Sequence, residues 1–374
     1  MLKLLLGVLL LLAAFLVLFR APNHWLWLTS VAITNFPYIP MLLSIGIIFW
    51  GYRSQQYQMV TMILGVISLV IYALPIVNAY KMNQRLAKNL QAAFPKDVTI
   101  AQTPFSFFNM FRKNETVQYT TLQYAAYPDK KLMLDFYANH QNKKAPLVIV
   151  IHGGSWQTGD SKQLPELNSY LANRGYNVAA INYRLAPDYK APAPVEDTKA
   201  VIDFFTQHAA QYNIDTNNII LIGRSAGAQI ALCTAYVLQL PNIKGVVSYY
   251  GPADMVWGAQ IKVSKKVLDT ETIYNNYFGG QYNEVPQKFV ESSATAQATT
   301  KAPPTLIIHG AIDPLVSYQH AERLQVVLNK LNIPNYFVAL PFATHGCDYS
   351  LNGPDGQICT YAVLHFLNAV VINK

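Results

Sequence analysis

The segment GRSAG at residues 223–227 restricts the fold more than any other feature of this 374-residue chain. It directly follows the apolar run Asn218 to Ile222 and opens the segment Ala228 to Leu238, whose composition suits a helix. A serine between a strand and a helix lies in a sharp turn, which only small neighbouring residues permit. The pattern GxSxG is common by itself, so the prediction depends on the strand before it and the helix after it. The sequence therefore predicts an α/β fold with the Ser225 hydroxyl exposed at a strand end.

Strand-like segments recur along the chain beyond residue 115. The central ones are short, apolar and β-branched, which is typical of strands buried on both faces. They are Leu147 to Ile151, Val178 to Ile181, Asn218 to Ile222, Gly245 to Tyr249, Thr305 to Ile308 and Tyr336 to Leu340. Two further segments, Val117 to Tyr124 and Lys131 to Tyr137, alternate apolar and polar residues as an edge hairpin does.

Helix-like segments separate the central strands. They are Lys162 to Asn173, Val195 to Gln211, Ala228 to Leu238, Tyr318 to Leu331 and Gln357 to Asn368. This alternation predicts a mostly parallel sheet covered by helices on both faces, formed by a domain over residues 115–374. Residues 254–300 interrupt the alternation with aromatic and charged residues. We expect them to form a short cap over the site.

The first 80 residues contain three hydrophobic stretches, Leu4 to Phe19, Trp25 to Tyr52 and Met59 to Tyr80. Apolar runs of this length are typical of membrane spans and rare in soluble cores, so we interpret residues 1–80 as about three transmembrane helices. Two spans remain if the first stretch is a cleaved signal peptide. The chain is then a multi-pass integral membrane protein.

The net charge of +8 is distributed unevenly. Residues 1–95 hold six basic and no acidic residues, whereas the rest of the chain is nearly neutral. A nucleic-acid-binding protein has its basic stripe on a folded domain, so the charge instead indicates membrane flanks and no nucleic-acid partner. Residues 81–114 are interpreted as a basic amphipathic linker, with Pro95 a plausible break. The positive-inside rule leans toward a cytoplasmic catalytic domain but leaves the side open.

The three cysteines do not settle the compartment. Cys233 falls in the helix after the GRSAG segment and is expected in the core. Cys347 and Cys359 are twelve positions apart, so a disulfide forms only if their domain faces an oxidising space. No spacing indicates a metal site, and no cofactor is expected.

A serine nucleophile needs a base, and the base needs an acid to orient it, in the chain order serine, acid, histidine. Asp313 follows the strand that ends near Ile308, and His345 follows the next strand. We therefore expect Ser225, Asp313 and His345 to form a catalytic triad.

Other histidines fit the role of base less well. His309 lies inside or at the end of its strand and is the weaker candidate. His208 and His320 fall within predicted helices and are expected at the surface.

An oxyanion needs hydrogen-bond donors. The run Leu147 to Ile151 leads into HGGSW at 152–156, where paired glycines allow backbone N–H groups to approach a substrate oxygen. The expected donors are the amides of Gly153, Gly154 and Ala226. Ser155 is a rival nucleophile, but it lacks a strand-to-helix turn.

The HGGSW and GRSAG motifs, together with NYRLAP at 182–187 and the segment 303–313, resemble the α/β-hydrolase esterases of the hormone-sensitive-lipase and feruloyl/acetyl-xylan esterase type. The resemblance covers about residues 115–370. It implies carboxylic ester hydrolysis through an acyl-enzyme, with the triad and oxyanion donors named above. It also implies that Asp197 braces the loop around Tyr183 and Arg184.

Two positions depart from the family pattern. Ser155 replaces a third glycine, and Arg224 occupies the variable position before the serine. Arg224 is expected to form a surface salt bridge, with selection of an anionic acyl group as the alternative.

The leading hypothesis is a membrane-anchored serine carboxylesterase that acts on a small-molecule or lipid-like ester. Several predicted spans before such a domain are similar to the layout of prenylcysteine methylesterases. A serine peptidase or acyltransferase on the same fold, and a non-catalytic membrane-anchored binding protein, are the alternatives.

Overall fold

The computed structural model describes residues 1–53, 56–96, 98–141 and 143–371. Within them, eight strands form one sheet in the order β1-β2-β4-β3-β5-β6-β7-β8. The strands are β1 (Thr120–Ala126), β2 (Lys131–Tyr137), β3 (Ala145–Ile151), β4 (Asn177–Ile181), β5 (Ile214–Arg224), β6 (Ile243–Tyr249), β7 (Thr305–Gly310) and β8 (Asn335–Leu340). Strand β2 pairs antiparallel with β1 and with β4, and the other neighbouring pairs are parallel. The mostly parallel sheet and its edge hairpin are confirmed.

The helices of the first hundred residues are α1 (Leu2–Ala14), α2 (His24–Asn35), α3 (Tyr38–Tyr52), α4 (Gln58–Asn83) and α5 (Leu86–Ala93). The later helices are α6 (Glu166–Ala172), α7 (Ala193–Gln207), α8 (Ala226–Leu238), α9 (Met255–Gly258), α10 (Thr270–Phe278), α11 (Pro286–Glu291), α12 (Ala294–Gln297), α13 (Gln319–Lys330) and α14 (Pro354–Val370). Short 3-10 turns lie at Phe15–Val17 and Phe107–Phe111. The segment 254–300 holds α9 to α12.

The alternation of side chains along β3 explains the layers on the two faces of the sheet. Leu147, Ile149 and Ile151 pack into one core with α7, α8 and α13. Val148 and Val150 point to the opposite face, where α6 and α14 cover them. All seven residues of β3 are buried, as the unbroken apolar composition predicts.

The N-terminal helices match the predicted spans only in part. Helix α4 is 26 residues long and is the one helix, among the described residues, that is long and apolar enough to cross a membrane. Helices α2 and α3 pass the same test only as a pair, and they are bent by 87° relative to each other. The segment Leu2–Val17 is apolar but shorter. Such helices are weak evidence for a membrane, so the three predicted spans are not confirmed.

The predicted amphipathic segment after the third hydrophobic stretch begins within α4, which continues to Asn83. Helix α5 follows and buries Leu86 and Leu90 in the same core as α14. Phe94 then packs on Phe366, with ring centroids 4.8 Å apart. The apolar face of α5 therefore lies against the α/β core.

The three cysteines are buried free thiols. Burial raises the pKa of Cys233 to about 12, as expected for a packed core thiol. Cys347 and Cys359 are close enough for a thiol hydrogen bond, but they are not joined in a disulfide.

Candidate active site

The turn at Ser225 joins β5 to α8. Its backbone conformation is strained, and close packing around it stabilises that conformation. Ser225 has φ 52° and ψ −119°, a conformation that L-residues rarely adopt. A Cβ on Gly223 would lie 2.1 Å from the Gly227 carbonyl oxygen, and a Cβ on Gly227 would lie 2.2 Å from the carbonyl oxygen of Ile151. Both glycines are therefore required sterically, and the strained serine lies at the carboxyl end of the sheet.

Asp313 and His345 meet in the loops that follow β7 and β8. His345 Nδ1 lies 2.7 Å from Asp313 Oδ2, and the aspartate is 1% exposed. The other carboxylate oxygen, Oδ1, accepts the backbone N–H groups of Leu315 and Val316 at 2.8 and 3.0 Å. This geometry fixes which ring nitrogen of His345 faces the acid, and it leaves Nε2 to exchange protons.

His309 is a second imidazole on the same carboxylate. Its Nε2 lies 3.1 Å from Asp313 Oδ2 and 3.0 Å from the Val316 carbonyl oxygen. Burial alone would raise the pKa of Asp313, but the charge and hydrogen bond of His345, with those of His309, hold it below its ordinary value. Asp313 therefore stays ionised at neutral pH.

The end of β6 contacts both Ser225 and His345. The Ser225 N–H donates to the Tyr249 carbonyl oxygen at 2.9 Å, and the next ring, that of Tyr250, lies 4.4 Å from the His345 ring. Among the described residues, the Ser225 hydroxyl forms no hydrogen bond with His345. Catalytic hydrogen bonds are often long in a free enzyme and shorten when substrate binds.

The predicted oxyanion donors lie against the serine turn. A Cβ on Gly153 would lie 3.2 Å from the Ser225 Cβ atom, so the two segments are in close contact. The Gly153 N–H donates to Gln163 Oε1 at 2.7 Å. The side chain of Gln163 therefore already accepts a hydrogen bond from one of the predicted oxyanion donors. The HGGSW motif gave no indication of this contact. Gly154 has φ 118°, which favours glycine, and Ala226 is the first residue of α8.

The residue before the serine contradicts the expectation of a surface salt bridge. Arg224 is 2% exposed, and its Nε donates to Asp348 Oδ2 at 2.5 Å. The Tyr250 hydroxyl donates to the other oxygen of Asp348 at 2.6 Å. Arg224 lies at the end of a central strand, so its side chain points into the packed layer between the sheet and the loop after β8. The ion pair with Asp348 therefore anchors Arg224 to the loop that contains His345, and Arg224 does not lie at the surface.

His320 also departs from the prediction, because it is buried rather than at the surface. Its Nδ1 accepts the Asp254 N–H at 3.2 Å, and it lines a cavity of about 50 Å³ beside Ser225. Burial, and next the charge of His309, lowers the pKa of His320 to about 3. A neutral imidazole is therefore a wall of this cavity. His208 caps the end of α7 and is half-buried.

The segment 254–300 contacts the HGGSW loop directly. The indole of Trp156 stacks on the Tyr277 ring at 4.4 Å and donates to Gln229 Oε1 at 2.9 Å. Isoleucine, valine and leucine side chains of the same segment line the small cavity, namely Ile261, Val263, Leu268 and Ile273. The segment therefore closes one side of the site with apolar groups.

Asp197 braces the loop after β4, as the resemblance implied. Its carboxylate accepts both the backbone N–H and the Nε–H of Arg184 at 2.8 Å. The neighbouring Tyr183 ring stacks on His152 at 4.3 Å. Burial lowers the pKa of His152 to about 4, so its ring is neutral and structural. No His, Cys, Asp and Glu cluster that suits a metal ion occurs in the described part of the chain.

A protein-family model described as BD-FAE matches residues 134–328, which is more than half of the chain. The chain belongs to the BD-FAE family. The match includes Ser225, Asp313 and the HGGSW loop, and it ends before His345.

Several curated proteins similar to this BD-FAE chain are named as esterases or ester hydrolases. A probable carboxylic ester hydrolase, LipM of Mycobacterium tuberculosis, is 26% identical over 54% of this chain and 50% of its own length. Esterase LipC of the same organism is 28% identical over 61% and 59%, respectively. An acetyl esterase of Salmonella schwarzengrund is 26% identical over 46% and 56%. The chain thus spans half to three fifths of the length of these relatives.

Solved structures agree on the fold. A bacterial heroin esterase superimposes with a TM-score of 0.61 at 19% identity, over 71% of this chain and 88% of that protein. A fungal esterase from Rhizomucor miehei gives 0.60 at 18% identity, over 76% and 96%. At these identities the likeness establishes the α/β-hydrolase fold alone.

Proposed function

We propose that this BD-FAE protein is a membrane-anchored serine carboxylesterase, with Ser225, His345 and Asp313 as its triad. The observation that supports it most is the 2.7 Å pair of His345 Nδ1 and Asp313 Oδ2, at the sheet edge where Ser225 is held in its strained turn. A charged, buried acid that orients an imidazole beside a serine turn is the arrangement that acyl transfer needs.

In the first step, Ser225 Oγ attacks the ester carbonyl carbon and passes its proton to His345 Nε2. The carbonyl oxygen becomes an oxyanion, which the amides of Gly154 and Ala226, and of Gly153 once Gln163 withdraws, stabilise. The bond to the leaving alcohol oxygen then breaks, and that oxygen takes the proton from His345. A water molecule, deprotonated by His345, then attacks the acyl carbon; the bond from that carbon to Ser225 Oγ breaks, Oγ takes the proton back from His345, and the carboxylic acid leaves the free enzyme. Asp313 remains ionised and offsets the imidazolium charge in both steps.

The substrate is a small-molecule or lipid-like carboxylic ester. The cavity beside Ser225 is only about 50 Å³ and is lined by apolar side chains of the segment 254–300. Apolar walls of this size favour a short acyl or alkyl group on one side of the scissile bond. The names of the acetyl esterase and of LipC support ester hydrolysis but do not identify this chain's substrate.

The anchor is a multi-pass region over residues 1–80, followed by the linker 81–114 and the catalytic domain 115–374 with its cap at 254–300. Among the described residues, all but six of the exposed large apolar side chains lie in the first 80. An exposed apolar surface of this kind is unfavourable in water, whereas the hydrocarbon of a bilayer can cover it.

A fluorophosphonate probe tests the proposal, because it reacts with an activated serine and not with an inert one. The wild-type chain in detergent should react with the probe and hydrolyse short-chain p-nitrophenyl esters, and Ser225→Ala should abolish both. Ser155→Ala is the matched control and should retain labelling. Labelling that persists in Ser225→Ala would contradict the assignment. A wild-type chain that neither reacts nor hydrolyses would favour a binding protein.

A further inference from the structure

Helix α2 lies directly on the loop that holds His345, although more than 300 residues separate them in sequence. The indole N–H of Trp27 donates to the His345 backbone carbonyl oxygen at 3.1 Å. The indole ring is 6.2 Å from the His345 ring and approaches it edge-on, at 63°. One residue of a segment predicted as membrane anchor therefore contacts both the backbone and the ring of the candidate base.

Asn35, at the other end of α2, binds the same loop twice. Its Nδ2 donates to the Gly346 carbonyl oxygen at 3.3 Å, and its Oδ1 accepts the Ser350 N–H at 3.0 Å. Asn35 is 3% exposed, so water does not compete for these bonds. Val31, one turn before Asn35, lies beside Gly346. Side chains of α2 thus bind backbone groups of three residues in this loop.

Helix α2 is also fixed from its other sides. The His24 N–H, at its start, donates to the Lys266 carbonyl oxygen of the cap segment at 2.9 Å. The Ser30 hydroxyl donates to the Leu16 carbonyl oxygen at 3.0 Å. Trp25, on the outward face, is 76% exposed. Helix α2 therefore connects the N-terminal region, the cap and the His345 loop, and the face that carries Trp25 is exposed.

We infer that Trp27 and Asn35 are positioning residues of the active site, which hold the backbone of the His345 loop in place so that the His345 ring can reach Ser225 when substrate binds. The inference rests on the proposed function. The Asp313 carboxylate orients the His345 ring, but nothing in that pair holds the backbone beyond His345. Displacement of a catalytic group by about 1 Å costs up to about 100-fold in rate, so backbone anchors of this kind affect turnover. The N-terminal region is then a part of the catalytic structure and not only an anchor.

The test uses the full chain in detergent, with two substitutions and a matched control for each. Trp27→Phe removes the indole N–H and keeps a ring, and Trp25→Phe makes the same change on the exposed face. Asn35→Ala removes both loop contacts, and Thr29→Ala removes a hydroxyl that bonds only within α2. We measure kcat and KM for p-nitrophenyl acetate, the rate of fluorophosphonate labelling and the melting temperature. Active-site titration normalises each rate to folded enzyme.

Trp27→Phe and Asn35→Ala should each lower kcat and the labelling rate about tenfold, with KM changed less than twofold. Trp25→Phe and Thr29→Ala should stay within twofold of wild type. If Trp27→Phe and Asn35→Ala match their controls while the wild type is active, the positioning role is wrong and the proposed function stands. A loss of kcat that disappears after normalisation shows a folding role and also overturns the inference. An unreactive wild type overturns the proposed function, and the inference with it.

Discussion

The central sheet and the N-terminal helices contain the same apolar residue types but present them to different surroundings. Every residue of β3 is buried between two layers of helices. On α4, by contrast, Ile63 and Val66 are 50% and 47% exposed. The sheet gains stability by removing apolar area from water, whereas the exposed faces of the helices gain nothing until a non-aqueous phase covers them. Apolar content alone therefore does not distinguish a core from an anchor; the direction of the side chains does.

The largest expected effect compares a glycine from each region. Gly227→Ala places a Cβ 2.2 Å from the Ile151 carbonyl oxygen, so the contact between β3 and the serine turn cannot form. We expect almost no folded protein on size-exclusion chromatography. A Cβ on Gly46 in α3 meets nothing within 4 Å, so Gly46→Ala should fold and gain up to about 1 kcal/mol from helix propensity. A well-folded Gly227→Ala chain would refute the close packing at the turn.

The second prediction concerns the buried ion pair beneath the site. Asp348→Asn leaves the Arg224 charge without its partner, which should lower the free energy of unfolding by about 3–5 kcal/mol. Arg224→Met combined with Asp348→Leu removes both charges and should recover most of the loss. Denaturant titration measures both variants. Equal stability of the single and double variants would show that the charge is solvated in solution.

The third prediction compares two valines of similar exposure, one in the N-terminal region and one in the α/β domain. Val66 on α4 and Val326 on α13 are 47% and 51% exposed. Val66→Lys should oppose membrane insertion by about 2.5–3.5 kcal/mol, since it places a charge in the proposed span. Val326→Lys should change stability by less than about 0.5 kcal/mol. The fraction of chain that resists carbonate extraction measures the first, and thermal melting the second. If Val66→Lys resists carbonate extraction as well as the wild type does, the proposal that α4 spans the membrane is wrong.

The fourth prediction is a pH dependence of stability that arises from the first turn of α14. Burial raises the pKa of Asp355 from 3.8 to about 7. Between these values the folded chain keeps a proton that the unfolded chain has released, so the stability contribution of this group falls as the pH rises. Asp355→Asn should match wild type near pH 4 and be the more stable by pH 8. Melting curves across that range give the difference, and a difference independent of pH would contradict the shift.

Much of the fold was predictable because its strands are buried on both faces. Lys131–Tyr137 matched its predicted bounds, and the central strands matched within four residues, since uninterrupted apolar composition marks them. The pairing of Asp313 with His345 was predictable for a related reason, because the ends of parallel strands meet at one edge. The alternation of strands and helices places those ends without knowledge of any side-chain contact.

The contacts that sequence could not predict are long-range and depend on which way a side chain turns. Arg224 is the last residue of a buried strand, but its partner Asp348 lies 124 positions away, so the local pattern suggested a surface arginine. His320 lies on an amphipathic helix, and contacts with the segment 254–300 help to bury it. The bonds of α2 to the His345 loop join segments that hydropathy assigns to different environments. The hydrophobic periodicity of neither segment predicts these hydrogen bonds.

In the proposed active site, the hydrogen bond from Gly153 to Gln163 affects how strongly the site favours the transition state over the bound substrate. In the resting protein an amide oxygen of the chain itself occupies this donor. A neutral ester carbonyl is an acceptor of similar strength, so exchanging one for the other gains little. An oxygen with full negative charge is a much stronger acceptor and displaces the glutamine readily. In the proposed mechanism, Gln163 would compete with the substrate oxygen for this amide, and the bond to Gln163 would be displaced more readily by the transition state than by the bound ester, which is the direction that raises turnover.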